Sequence, residues 1–182
     1  MMRLVFLHIP KTAGQSVHSE LARIVGAAGV SPVRVHTQAA ADAQFPAGYR
    51  LYSGHLDWAG LDAVAPPRFV FTVLRDPRER IASFYFFLLK QARELDAEAL
   101  SRPENTGKRR LLERSADDYF FGGDAGWQTF IRDHYDNFYC SYFATRRMRG
   151  WQEAGKLDEQ ALIDRALHGA RAIDAIYSTA AL

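Results

Sequence analysis

Six consecutive residues, Lys11-Thr12-Ala13-Gly14-Gln15-Ser16, combine a lysine, two hydroxyls and small side chains directly after an apolar run. Such a stretch before a helix suits an anion, because the first helical N–H groups lack intrahelical partners and sit at the positive end of the dipole. It is not a Walker A loop: the lysine precedes the glycine, and GxxxxGK[ST] is absent. The same residues also read as an ordinary strand-to-helix turn with an exposed lysine. A second group is Arg75, at the carboxyl end of the most strand-like segment, with Ser83 eight residues later. Arginine suits bidentate phosphate binding, and ligands of open α/β sheets gather at the carboxyl ends of strands. The plainer reading pairs Arg75 with Asp76, or Arg78 with Glu79, on the surface. Among six histidines, His55 follows Gly54 at the end of Tyr52-Ser53-Gly54. A neutral imidazole there can take a hydroxyl proton near neutral pH, or can serve as a buried strand histidine.

Residues 3–9 form a short apolar run rich in β-formers, and helical spacing follows from Val17 through Leu21, Ile24 and Val25 to Gly26. A second extended piece covers 49–55, and 57–67 is rich in turn formers. Arg68-Phe69-Val70-Phe71-Thr72-Val73-Leu74 is the strongest strand. It meets Arg75-Asp76-Pro77, where proline disfavours helix at Asp76 and can open one itself. Ile81, Phe84, Tyr85, Leu88, Leu89, Ala92 and Leu95 then repeat at helical spacing. Two strand–loop–helix units predict an α/β domain with a mainly parallel sheet. Residues 96–118 read as a charged surface excursion whose Lys108-Arg109-Arg110 run is a solvated face or a site for an anionic acceptor. The aromatics from Tyr119 to Phe143 predict helices packed on the sheet. A helix over 157–172 and a strand over 173–177 close the pattern.

The chain has 182 residues, 23 basic and 21 acidic side chains, and 48% hydrophobic residues. That is the profile of one globular domain spanning 1–182, and it argues against a general nucleic-acid binder. The lone Cys140 excludes an intrachain disulfide and any multi-cysteine zinc site. No apolar run reaches membrane-span length, and His8, Pro10 and Lys11 interrupt what would be a signal sequence. The cytoplasm is the expected compartment.

The segments His8-Ile9-Pro10-Lys11-Thr12-Ala13-Gly14-Gln15-Ser16 and Val73-Leu74-Arg75-Asp76-Pro77-Arg78-Glu79-Arg80-Ile81-Ala82-Ser83-Phe84-Tyr85 together resemble the sulfotransferase superfamily. The nearest branch is that of heparan sulfate 2-O-sulfotransferase and its bacterial relatives. The resemblance implies a P-loop-like three-layer α/β/α fold and the cofactor 3′-phosphoadenosine 5′-phosphosulfate (PAPS), with no metal. Lys11, Thr12, Ala13, Gly14, Gln15 and Ser16 would form the 5′-phosphosulfate loop, and Arg75 and Ser83 the 3′-phosphate pair. Gln15 replaces a common threonine. Gly54-His55 matches the position of the catalytic histidine, whereas Ser53 stands where those glycan enzymes have another histidine. The partners implied are the nucleotide and a hydroxyl-bearing acceptor such as a carbohydrate. Family members continue past the strand expected at 173–177, so the resemblance implies that their C-terminal part is missing here. A nucleotide kinase or NTPase with a divergent phosphate loop, and a non-catalytic nucleotide-binding module, are the competing expectations.

Overall fold

A computed structural model describes residues 2–181. In chain order the elements are β1 (Arg3–Leu7), α1 (Gly14–Val25), β2 (Leu51–Gly54), β3 (Arg68–Leu74), α2 (Pro77–Arg93), α3 (Ala97–Ser101), α4 (Thr106–Glu113), α5 (Ala116–Phe121), α6 (Ala125–His134), α7 (Phe138–Thr145), α8 (Trp151–Ala154), α9 (Glu159–Ala170) and β4 (Ala175–Ser178). They form two compact units. One comprises the chain up to Arg75 together with the chain from Asn137 onward, and the other is Asp76–Asp136.

The first unit is an α/β sandwich around a four-stranded sheet of order β2-β1-β3-β4, every pairing parallel. Strand alternation sorts its two faces. Val5, Leu7, Tyr52, Val70 and Leu74 meet Phe138, Tyr142 and Phe143 of α7 and Leu162, Ala166 and Ala170 of α9. The opposite set, Phe6, Phe69, Phe71 and Val73, meets Val17 and Leu21 of α1. Both faces are therefore covered, as short apolar parallel strands require. The core rises to the sheet's carboxyl edge, where buried Thr72 donates from Oγ1 to the Leu7 carbonyl at 2.7 Å.

Beside β2, residues 30–36 run alongside as an extra edge segment, bridged at Val30–Leu51 and Val35–His55. Gly54 makes this possible, because a Cβ there would overlap the backbone carbonyl of Arg34. The space that Gly54 leaves beside β2 is thus filled by the chain itself.

The second unit is helical. Asp76 caps α2 by accepting from the Arg78 and Glu79 N–H groups, and Pro77 takes the first helical position, as the X-Pro junction predicts. Arg78 lies 3.8 Å from Asp76, giving the surface pair a different partner from Glu79. Leu95 falls outside α2, which stops at Arg93 because Asp96 already caps α3 through the Ala99 N–H. Residues 96–118 hold α3, α4 and the start of α5. The expected single aromatic layer divides in two. Tyr119, Trp127 and Tyr135 form a second core with Leu111 and Ile131, lined by Ile81, Phe84, Tyr85, Leu88 and Leu89 of α2, whereas Phe138, Tyr142 and Phe143 belong to the sheet core. A 3.1 Å bond joins the Tyr119 and Tyr135 hydroxyls, and Trp127 donates from Nε1 to the Tyr119 carbonyl at 2.7 Å.

Gly54→Ala tests the close approach at β2. The clash is with backbone, which no rotamer change relieves, so a loss of about 1–3 kcal/mol in urea unfolding is expected.

Candidate functional site

Strand order places the site. β1 sits between β2 and β3, so the chain leaves β1 toward one side and β3 lies on the other. The crevice at the carboxyl ends of β1 and β3 is the switch point where open α/β sheets bind ligands. Lys11 follows β1 there, and Arg75 follows β3.

Between β1 and α1 the backbone turns twice into the left-handed region, at Lys11 (φ 71°) and at Ala13 (φ 60°). For side chains with a Cβ this costs about 1 kcal/mol each. Thr12 between them is fully buried, and its Oγ1 donates to the Ile9 carbonyl at 2.8 Å. Its hydroxyl therefore closes the turn instead of facing a ligand. Ala13 caps α1 with no side-chain bond, and the first turn holds no acidic residue. The backbone N–H groups of Gly14, Gln15 and Ser16 make up that first turn, and left-handed turns of this kind form anion-binding concavities. The side chains of Gln15 and Ser16 are exposed. Gly14 is required for another reason: a Cβ there would overlap the His8 ring.

Lys11 is held below its ordinary pKa, first by burial and then by the charge of Arg75. Two cations from neighbouring strand ends are thus close enough to repel each other. Tyr139 of α7 fixes the arginine's backbone, accepting from the Arg75 N–H at 3.2 Å and donating to its carbonyl at 2.9 Å. Ser83 lies on α2, half-buried, in the second unit.

Phe6, His8, Ser53 and His55 share one face by strand alternation. Phe6 stacks between Phe71 and His8 with centroids at 4.9 and 5.4 Å, and the His8 and His55 rings lie 4.3 Å apart. His55 Nδ1 is 2.8 Å from the His8 carbonyl. A carbonyl only accepts, so Nδ1 carries the proton and the neutral ring presents its lone pair at Nε2. That is the tautomer a general base needs. His8 is buried and its pKa is pushed down to about 3, by desolvation first, then by His55, Arg34 and His18.

Two neighbours of this pair escaped the sequence reading. His18 of α1 is buried, with Nδ1 3.0 Å from Ser53 Oγ and Nε2 2.6 Å from Arg34 Nη1. Its signal was available, since His18 falls on the Gly14–Leu21 stripe that α1 turns inward. Arg34 had none, lying in an irregular connection. Trp58 and Trp127 belong to the two hydrophobic cores. Arg109 and Arg110 pair with Glu113 and Asp124 at 3.8 and 3.1 Å, and the mostly buried Arg110 lies over the Trp127 ring at 4.5 Å.

No protein-family model, curated protein or solved structure matches this chain. No helix among the described residues is long and apolar enough to cross a membrane.

His8 makes stability depend on pH. Unfolded, it takes a proton near 6.5, and folded only near 3, so the unfolded chain is the better proton binder between those values. Its contribution is complete above 6.5 and lost as the pH falls toward 3. Between about pH 7 and 4 the unfolding free energy is expected to drop by up to about 3 kcal/mol from this group. His8→Asn should flatten that slope in denaturant titrations run across the range.

Proposed function

We propose that the chain is a PAPS-dependent sulfotransferase acting on a hydroxyl acceptor, with a P-loop-like phosphate site. The observation that carries this reading is the convergence at one switch point of the Lys11–Ser16 loop, the second cation Arg75, and a histidine whose tautomer presents Nε2. Geometry and charge suit a ligand with several anionic groups and a nucleophile that must lose a proton. The resemblance of both segments to the sulfotransferase superfamily supplies the cofactor's identity.

PAPS, when bound, supplies a sulfuryl group on a phosphate leaving group. Lys11 and the N–H groups of Gly14, Gln15 and Ser16 would hold the phosphosulfate end and offset negative charge as it grows on phosphate oxygens. Arg75 would take the 3′-phosphate by a charge-assisted bond. His55 accepts the acceptor's O–H proton at Nε2 while Nδ1–H stays on the His8 carbonyl, so the ring does not turn during transfer. With that proton removed, the acceptor oxygen would be free to take the sulfuryl group, and Lys11 with the α1 N–H groups would meet the charge left on the phosphate. Positioning and electrostatics provide most of the acceleration, as in phosphoryl transfer.

Calorimetric titration with 3′,5′-adenosine bisphosphate, beside ADP and magnesium-ATP, tests the cofactor class. The bisphosphate should bind best, and Arg75→Ala should weaken it by about tenfold or more. Preference for magnesium-ATP would favour the kinase reading and overturn this one. His55→Ala should keep bisphosphate affinity and lose turnover by about a hundredfold or more, whereas a pure binding module would lose nothing.

A further inference from the structure

Arg34 is an unusual guanidinium. Among the described residues it forms no ion pair, its Nε is buried without a hydrogen-bond partner, and its Nη1 is 2.6 Å from His18 Nε2. A guanidinium only donates, so His18 Nε2 must accept, and Nδ1 must carry the proton that goes to buried Ser53 Oγ. Three elements are thereby joined in one directed chain: the 30–36 edge segment through Arg34, α1 through His18, and β2 through Ser53.

The chain ends beside His55. Ser53 is two residues before it, and the Arg34 carbonyl accepts from the His55 N–H at 2.8 Å. His36 in turn donates its N–H to the His55 carbonyl at 2.8 Å. Gln38 Oε1 fixes the near end of the segment by accepting from the Arg34 and Val35 N–H groups at 2.6 and 3.1 Å. His55 is therefore held through its backbone by the segment that Arg34 anchors, and through its ring by the His8 carbonyl.

We propose that Arg34 and His18 are positioning residues for His55: the Arg34–His18–Ser53 chain locks the edge segment to β2 and holds the His55 ring over His8 with its proton on Nδ1. The inference rests on the reading of His55 as the base. Arg34 also acts by charge. The titratable groups around the His8–His55 pair are His18 on α1 and Arg34 and His36 on the edge segment. Asp57, two residues beyond His55, receives the Met148 N–H at 2.7 Å. A fixed positive charge on Arg34 opposes protonation of its histidine neighbours, the direction seen for both His8 and His18.

Nuclear magnetic resonance of isotope-labelled histidine in the whole chain reads this without relying on turnover. Wild type should show His18 and His55 as Nδ1–H tautomers. In Arg34→Gln the His55 titration midpoint should rise by about half to one pH unit, because a nearby positive charge is gone. The acid limb of the kcat profile should move up with it. The rate at the optimum should fall about tenfold through misplacement of the base, with bisphosphate affinity kept within about twofold. Arg34→Lys keeps the charge and should restore the midpoint. An unchanged midpoint and tautomer for His55 in Arg34→Gln would overturn the proposal. A shifted midpoint in a protein with no sulfotransferase turnover would retain the positioning role and remove the proposed activity. If Arg34→Gln does not fold, Ser53→Ala deletes only the acceptor of the His18 Nδ1–H. Loss of that tautomer with a displaced His55 midpoint supports the chain, and an unaltered His18 and His55 refute it.

Discussion

Everything at the sheet's edge depends on one arrangement of hydrogen bonds: β1 pairs in parallel on both sides, with β2 and with β3. Parallel pairing brings the carboxyl ends of all three strands to the same edge. The loop after β1, the histidine after β2 and the arginine after β3 are then neighbours without any long side chain reaching across. Register does the rest. Leu7 opposes Gly54, so the next residue of each strand, His8 and His55, falls side by side with rings 4.3 Å apart. A slip of one residue would send either ring to the opposite face, into the α7 and α9 core.

Burial on both faces is what makes that register secure. The α1 face is a continuous run of rings from Phe69 and Phe71 through Phe6 to His8 and His55. Each aromatic ring in it is anchored by apolar area, and the histidines at its end inherit a fixed geometry from their neighbours. Desolvation is part of the design. Burial keeps His8 neutral, so the pair does not carry two charges at once, and the His55 ring keeps a carbonyl as its Nδ1 partner.

How much of this could be read beforehand differed by feature. β3 and the helix it feeds were legible because apolar patterning and the Asp76-Pro77 cap are local signals. The loop at Lys11–Ser16 and the Gly54-His55 pair were legible for the same reason, as each is a few contiguous residues of telling type. Leu95 was misplaced in α2 because periodicity continues past a helix end, and only the Asp96 cap reveals the break. The separate aromatic core escaped because composition marks aromatics as buried without saying against what. Arg34 was invisible, since its place comes from the Gly54 close approach, an interaction between residues twenty apart in the chain.

A structural turn and a binding turn can share a backbone, and the difference lies in what occupies the costly positions. A turn kept only for connection would place glycine at left-handed positions, and a helix start kept only for stability would carry a Ser, Thr, Asp or Asn cap with acids in its first turn. Here Lys11 and Ala13 occupy the left-handed positions, the cap side chain makes no bond, and the first turn has no acid. The lysine is also partly desolvated and faces a second cation. Each of these choices destabilises the free fold, and negative charge at the N-terminus of α1 would offset the repulsion and partner the open N–H groups. That cost, concentrated at one switch point, is what supports the proposed anion site over a turn kept for connectivity alone.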